Sequence, residues 1–445
     1  MAEVDLLRIR RIEVKKLFNL HDHVINLKLD DHITILYGPN GVGKTVILSM
    51  VNALFLGRFG YFINIPFHEF NLVLTDERVI SIKNNSKILH LSLKDGTGKK
   101  LFYEEITNID VFMLSERIAE HLPWLTQIGE GRWFDDRQGD DIDAAELVRR
   151  YSSHAPVRQK ELKLHKLEFF RELQEKVNIH LIETQRLLRV LPERNARYRR
   201  SPETMLVSTV TEYANDLFKR IKEAMAEYGQ TSQKLDQSFP QRLLMHSDQI
   251  SAEDLKKRME ELDAKRINLA EIGILDEAAS NNSFNIERLD NLDGTQKNVM
   301  TLYVKDTHDK LQVLDNLASR IRIFIENLNK KFQNKIIKID RQKGFITQGN
   351  DGQPLPLESL SSGEQHELVL HYDLLFRVRP NTLVLIDEPE LSLHLSWQKR
   401  FLQDLVETVK VANFDALIAT HSPFIIGDRD DLMVALDAEV GGSVQ

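Results

Sequence analysis

Cysteine is absent from all 445 residues. That one absence removes disulfides, cysteine-ligated zinc and a thiol nucleophile together. Positive charge is not in excess either: 59 Lys and Arg stand against 67 Asp and Glu, for a formal net charge of −8. No global basic field advertises nucleic acid, so any such contact must be a local patch. No apolar run approaches the length of a membrane span, and the start, MAEVDLLRIRR, lacks the apolar segment of a signal peptide. These absences point to a cytoplasmic chain with no membrane contact. The composition that remains, 42% hydrophobic and 28% charged, is that of a globular protein with room for two or three domains.

Residues 381–394, NTLVLIDEPELSLH, are the stretch around which the rest is organised. LVLI at 383–386 is short, apolar and branched, as a fully buried strand requires. It ends in Asp387 and Glu388, at the edge where open α/β sheets bind ligands. Two carboxylates at the end of a buried strand are costly unless a cation or substrate meets them.

Near the other end, RIRRIEVKK, VINLKL and HITILY read as three short strands. The third runs into Gly38, Pro39, Asn40, Gly41, Val42, Gly43, Lys44 and Thr45, followed by the apolar helix VILSMVNALFL. This is G-x-x-x-x-G-K-[ST] between a strand and a helix, the context that gives the pattern its meaning. Its backbone N–H groups and the helix N-terminus suit phosphates, Lys44 suits the β- and γ-phosphates, and Thr45 suits Mg²⁺.

FNLVLT, VISIK, KILHLSL and KLFYEE then read as an antiparallel meander. Residues 126–143, rich in Gly and Asp, read as an exposed loop, and 144–176 as helix. VNIHLI at 177–182 reads as a strand delivering Gln185, which either reaches a neighbouring phosphate site, with Mg²⁺ or the attacking water, or caps a helix. The most basic patch follows, from Arg194 to Arg200 with Tyr198 interleaved; it is either a contact for nucleic acid or a partner, or a solvated loop. Residues 203–333 are almost all helix-forming. Seams at Leu255, Met259, Leu262 and Leu269, with Arg266 in the missing place, and at Leu314, Leu317, Ile321, Phe324 and Leu328 suit a short arm or a compact bundle.

KIIKID and KGFITQ return to strand. Leu360, Ser361, Ser362, Gly363 and Glu364 open an amphipathic helix, where hydroxyls and free N–H groups face either an anion or only the helix end they cap. FDALIAT, another buried strand, delivers His421 to the edge that carries Asp387.

In order, GPNGVGKT, Gln185, LSSGEQ, LVLIDEPE, ELSLH and ATHSP resemble the nucleotide-binding heads of ABC-type ATPases, in the SMC, Rad50 and RecF-like branch. The resemblance covers both ends of the chain and leaves the helical middle where such families insert coiled coils. It implies an α/β ABC-type P-loop ATPase head, a mixed sheet with an antiparallel N-terminal subdomain, interrupted by a helical insertion. The expected division is 1–125 (head with P-loop), 126–202 (helix and loop returning with Gln185), 203–333 (insertion) and 334–445 (signature, Walker B, D-loop and switch histidine). By the same resemblance, residues 360–364 are the signature, 390–394 the D-loop and His421 the switch. Ser362 and Glu364 depart from common transporter usage, which argues against a transporter subunit and not against ATP binding.

The resemblance further implies a head-to-tail dimer, or a higher even oligomer, each P-loop closed by the other chain's signature. ATP and Mg²⁺ are the implied cofactors: Asp387 and Thr45 hold the ion with Gln185, Ser361–Glu364 meet the second face of the nucleotide, Glu388 activates water, and Lys44 and His421 steady the transferred phosphoryl. Phe18 and Asn19 are adenine-contact candidates. Compact heads with short insertions resemble the ATPase subunits of bacterial antiphage systems, such as the Septu type with its HNH nuclease and related retron- and PARIS-type systems. The favoured expectation is therefore an ATPase without a nuclease site of its own that controls a separately encoded effector. A RecF-like repair ATPase binding DNA directly, and an ATP-binding scaffold with little hydrolysis, are the alternatives. A zinc hook would need the cysteines this chain lacks, and no Toprim pattern follows His421.

Overall fold

A computed structural model describes residues 7–85, 88–106, 111–120, 122, 124–151, 173–182, 188–191, 205–245, 250–276 and 292–436. The chain divides into two units, one built from Met1–Val207 with Arg377–Gln445 and the other from Ser208–Phe376. Residues 334–376 thus group with the helical stretch that precedes them.

In the first unit the antiparallel and parallel pairings fall in separate sheets. The antiparallel sheet has six strands in the order His21–Asn26, Ile9–Leu17, Glu69–Leu74, Val79–Asn85, Ile88–Lys94, Lys100–Ile106. The meander is therefore the continuation of the N-terminal strands, with Ile12 opposite Leu72 and Val14 opposite Phe70. The second sheet is five-stranded and wholly parallel: Asn178–Ile182, Thr382–Asp387, Asp415–Thr420, Ile33–Tyr37, Met433–Ala435. Four of its strands come from the two ends of the chain and one from residues 178–182, which is why neither end is a domain alone. The helix Lys44–Phe55 buries residues on nearly all its sides, and one continuous core joins it to both sheets. A helix so enclosed must be apolar all round, as VILSMVNALF is.

Residues 126–143 are not the exposed loop the composition suggested. They form most of a three-stranded antiparallel sheet, Leu125–Gly129, Arg132–Asp135 and Asp140–Asp143, under the helix Ala144–Tyr151. Trp133 and Ile142 are cross-strand partners buried in a satellite core with Leu147 and Tyr151. Asp135 is wholly buried because the Tyr151 hydroxyl donates to it and Arg150 lies 3.6 Å away. Tyr151→Phe is expected to cost about 1–3 kcal/mol, since it strips a donor from a buried carboxylate. Thermal unfolding would show it as a lowered midpoint.

The second unit begins with the 37-residue helix Thr209–Met245, roughly 55 Å long at the usual rise. Its buried residues, from Thr209 to Ile221, all lie in the first third. Further along, Arg242 forms a two-pronged pair with Asp306, and Lys310 meets Asp236 at 2.6 Å, tying it to Gly294–Gln312. Ala252–Glu271 packs on Gly294–Gln312 in turn, with Leu255, Met259, Leu262 and Leu269 buried. Side-by-side packing of three helices accounts for that seam. Arg266, the odd residue in it, keeps its guanidinium at the edge and donates to the Tyr303 hydroxyl at 3.2 Å. In Asp315–Asn329 the second seam buries Ile321, Phe324 and Leu328, with Leu317 half-buried.

Lys335–Asp340, Gly344–Gly349 and Pro354–Leu355 then form a small antiparallel sheet. Gly344 (φ 82°) has no room for a side chain, because a Cβ would fall 1.9 Å from the Ala214 carbonyl oxygen. The strand lies directly on the long helix there.

Candidate functional site

Register decides which side chains meet. Asp387 pairs with Ala419, and Thr420 pairs with Tyr37, so three adjacent parallel strands end together. Their C-terminal edge carries Asp387 and Glu388, His421, and the loop 38–45. A sheet edge of this kind is where doubly wound folds place ligands.

The loop closes on Gly43, whose φ of 100° makes it the left-handed N-cap of Lys44–Phe55 with no side-chain cap. A Cβ at Gly43 would also sit 2.3 Å from Leu17 Cδ2, so only glycine fits. The first-turn N–H groups have no intrahelical acceptor and are available to an anion. Lys44 is buried, and its Nζ donates to the loop's own carbonyls, Gly38 O at 2.7 Å and Pro39 O at 3.0 Å. Burial lowers its ammonium from the ordinary value, against the pull of Glu388, Glu390 and Asp387. Phe18 and Asn19 lie in a strained turn with φ of 56° and 62°, and a Cβ at Gly43 would come 3.5 Å from the Phe18 ring. The adenine candidate therefore borders the loop.

His23 supports this loop and carried no motif in the sequence. It is buried on the strand His21–Asn26, with Nε2 2.9 Å from the Val42 carbonyl. A carbonyl only accepts, so Nε2 carries the proton. Burial lowers the pKa of this histidine, which keeps the ring neutral near pH 7. The only signal available was its inward place in a strand with alternating burial. His23→Phe fills the space without the bond and is expected to raise the ATP dissociation constant about 5- to 10-fold. A fluorescent-nucleotide titration checks this.

The Thr45 hydroxyl donates to Asp387 Oδ1 at 2.9 Å, joining the P-loop to the acidic strand end. The protein packed around Asp387 pushes its carboxyl up to about 6; Thr45 opposes this, while Glu388 and Glu390 reinforce it. Among the described residues no group of three or more His, Cys, Asp or Glu is arranged to hold a metal ion. A hydroxyl and one carboxylate suit Mg²⁺ that shares its remaining positions with water and phosphate, so the donors fit that ion.

Glu388 sits in the left-handed region (φ 41°, ψ 59°) and donates its N–H to the Ala419 carbonyl at 2.9 Å. A non-glycine residue held there stores strain. The turn gathers the following carboxylates instead of alternating them: His421 Nδ1 lies 3.6 Å from Glu388 and 3.1 Å from Glu390. Glu390 is thus not a surface residue of the 390–394 segment. Its side chain is buried against the next strand end.

Residues 360–364, expected to form the signature, belong to the second unit. Ser361 caps the helix Ser362–Tyr372 in a full capping box, its Oγ accepting from Glu364 N and Glu364 accepting from Ser361 N at 2.7 Å. Glu364 also accepts from Lys335 at 2.7 Å, so its carboxylate is spent on the helix end. Ser361 and Ser362 are exposed and Gly363 half-buried, leaving hydroxyls and first-turn N–H groups at the surface. Gln185 and the residues from Arg194 to Arg200 lie outside the described residues. The strand preceding Gln185 ends with Ile182 paired to Ile386, at the same sheet edge as Asp387.

A left-handed glycine cradle between a parallel strand and a helix, with its threonine bonded to the aspartate that ends the next strand but one in the sheet, defines a P-loop ATPase. The chain belongs to the AAA ATPase domain family, whose profile matches residues 8–426. Similar solved structures include the Smc head domain with an extended coiled coil bound to the C-terminal domain of ScpA from Pyrococcus furiosus, 12% identical with a TM-score of 0.34. That likeness covers 97% of this chain and 93% of the other. The Smc head domain with a coiled coil and joint from Pyrococcus yayanosii is 13% identical over 97% of this chain and 95% of that one, with a TM-score of 0.34. The SMC head domain from Thermotoga maritima is 10% identical over 96% and 94%, with a TM-score of 0.33. No match is found among curated proteins. Among the described residues no helix is long and apolar enough to cross a membrane.

Proposed function

We propose that this chain is an ABC-type ATPase of the SMC and RecF-like branch that pairs head-to-tail and controls a separately encoded nuclease in antiphage defence. The observation that carries the ATPase part is the convergence of Lys44, Thr45, Asp387, Glu388 and His421 on one sheet edge, joined by the Thr45–Asp387 bond. Lys44 leaves its loop carbonyls for the β- and γ-phosphates. Thr45 and Asp387 hold Mg²⁺, with Gln185 as a further candidate. The ion, when bound, neutralises charge on the phosphate oxygens. Glu388 orients the attacking water and accepts its proton, and His421 donates toward the transferred phosphoryl.

Pairing is supported by two features. Ser361 and Ser362 present hydroxyls at an exposed helix start, suited to the nucleotide of another copy. Leu391, Leu395 and Phe424, beside the acidic turn and His421, are large apolar side chains left exposed. Control of a separate effector is supported by the short helical insertion, which suits a lever more than a long tether. The HNH class of partner rests on the resemblance to Septu-type ATPases.

Co-purification tests the proposal: the tagged chain is expressed with its native flanking genes and its companions are identified by mass spectrometry. A retained nuclease is the expected result. A chain that emerges alone and shifts duplex or gapped DNA in an ATP-dependent way overturns effector control in favour of RecF-like repair.

A further inference from the structure

Glu390 has a buried carboxylate, 4% exposed, although Leu391 beside it is exposed. Two donors converge on its Oε1, the Thr420 hydroxyl at 2.6 Å and the His421 backbone N–H at 2.9 Å, and His421 Nδ1 lies 3.1 Å from the same oxygen at ion-pair distance. The other oxygen, Oε2, is buried with no partner. The backbone of Glu390 is held as well, its carbonyl accepting from Gln398 Nε2 at 3.2 Å while Gln398 Oε1 accepts from the Ser422 hydroxyl at 2.9 Å. Glu390 and His421 are thus fixed to one another by side chain and backbone, from two different strand ends.

We infer that Glu390 is a positioning residue for His421: it holds the ring with a proton on Nδ1 and Nε2 turned toward the nucleotide, so that donation from Nε2 to the phosphoryl takes the doubly protonated ring. With Nδ1 3.1 Å from a carboxylate oxygen, a lone pair on Nδ1 would face negative charge, so the ring places a proton there. Free histidine favours the Nε2–H form, and the neighbour of the far nitrogen decides which form prevails. The arrangement is the carboxylate–imidazole pairing that serine hydrolases use to fix tautomer and orientation, here turned toward a phosphate site. Glu388, 3.6 Å from the same nitrogen, is more exposed and lacks the backbone bond, so it is the looser neighbour. The inference rests on the ATPase reading for its catalytic consequence and on the geometry alone for the ring.

Two measurements test it. Ring nitrogen-15 shifts of His421, assigned by its loss in His421→Gln, are expected to show Nδ1 protonated in the nucleotide-free protein and the Nε2–H form in Glu390→Leu. A wild-type ring in the Nε2–H form overturns the inference. For turnover, Glu390→Gln is expected to lower kcat about 10- to 100-fold with little change in KM, and to cost almost nothing further in a His421→Ala background. An equal loss in both backgrounds shows that Glu390 acts only as a structural buttress and overturns the inference. If wild-type protein hydrolyses no ATP while the ring is held as expected, the ATPase reading fails and the pairing stands.

Discussion

Glu388→Gln is expected to lower ATP turnover by about 10²–10⁴-fold, the usual contribution of a positioned base, while nucleotide binding survives. Glutamine has the same length, and the backbone bond to Ala419 that fixes the turn is untouched. What is lost is the ability to accept the proton of the attacking water. The groups that would hold the triphosphate, the loop N–H donors and Lys44, lie on a different strand–helix connection. Removing one negative charge from the trio of Asp387, Glu388 and Glu390 also relieves repulsion of the phosphates, so affinity is expected to hold or rise. Phosphate release and a nucleotide titration on the same preparation check both halves. Near wild-type turnover in this variant would remove Glu388 from the base role.

The second large effect concerns stability. Lys331, Glu367 and His371 form a buried polar triad in the second unit, with side chains 1%, 0% and 5% exposed. Lys331 Nζ lies 2.6 Å from Glu367 Oε2 and 3.1 Å from His371 Nε2, and His371 Nε2 is 3.0 Å from the same carboxylate oxygen. Glu367 and His371 lie one turn apart on the helix Ser362–Tyr372, and Lys331 follows the helix Asp315–Asn329. The triad therefore clamps the helix Ser362–Tyr372 to the helix Asp315–Asn329. Glu367→Ala leaves a buried ammonium without its counter-charge and is expected to cost about 3–5 kcal/mol, or roughly 6–20 °C in the melting midpoint. Replacing Lys331, Glu367 and His371 together with apolar residues of similar volume is expected to recover most of the loss. A melting midpoint unchanged by Glu367→Ala would mean the triad contributes nothing to holding the two helices.

The same carboxylate sets a pH dependence. Burial alone would raise its pKa, but Lys331 and His371 more than offset this and bring it from 4.5 down to about 2. A depressed folded-state pKa contributes stability above 4.5, and that contribution is lost as pH falls from 4.5 toward about 2. Glu367→Gln should flatten the fall of the melting midpoint across that window.

What the sequence made legible was local. Gly38 to Thr45 announce their loop because the glycines, the lysine and the flanking strand and helix are contiguous. The runs at 383–386 and 414–420 read as buried strands because a parallel strand covered on both faces is apolar throughout. The helical seams were visible too, down to Arg266 as the odd member whose partner, Tyr303, is on another helix. The failures share one cause, polar residues satisfied by distant partners. Asp135 looked like loop because its donor is Tyr151, and the small sheet around Trp133 was hidden by Gly and Asp usage. The burial of Glu390 carried no local signal because Thr420 and His421, which bury it, lie 30 and 31 positions away. His23 carried no pattern at all, since its partner is a backbone carbonyl 19 residues on.

The central claim is that two copies of this chain close around ATP, each completing the other's site. Sedimentation of Glu388→Gln with and without Mg-ATP tests it most directly. The prediction is a 51.5 kDa species without nucleotide and twice that mass with Mg-ATP, the shift being lost when Lys44→Ala is added to Glu388→Gln. A Glu388→Gln protein that binds ATP to saturation and stays monomeric would contradict it.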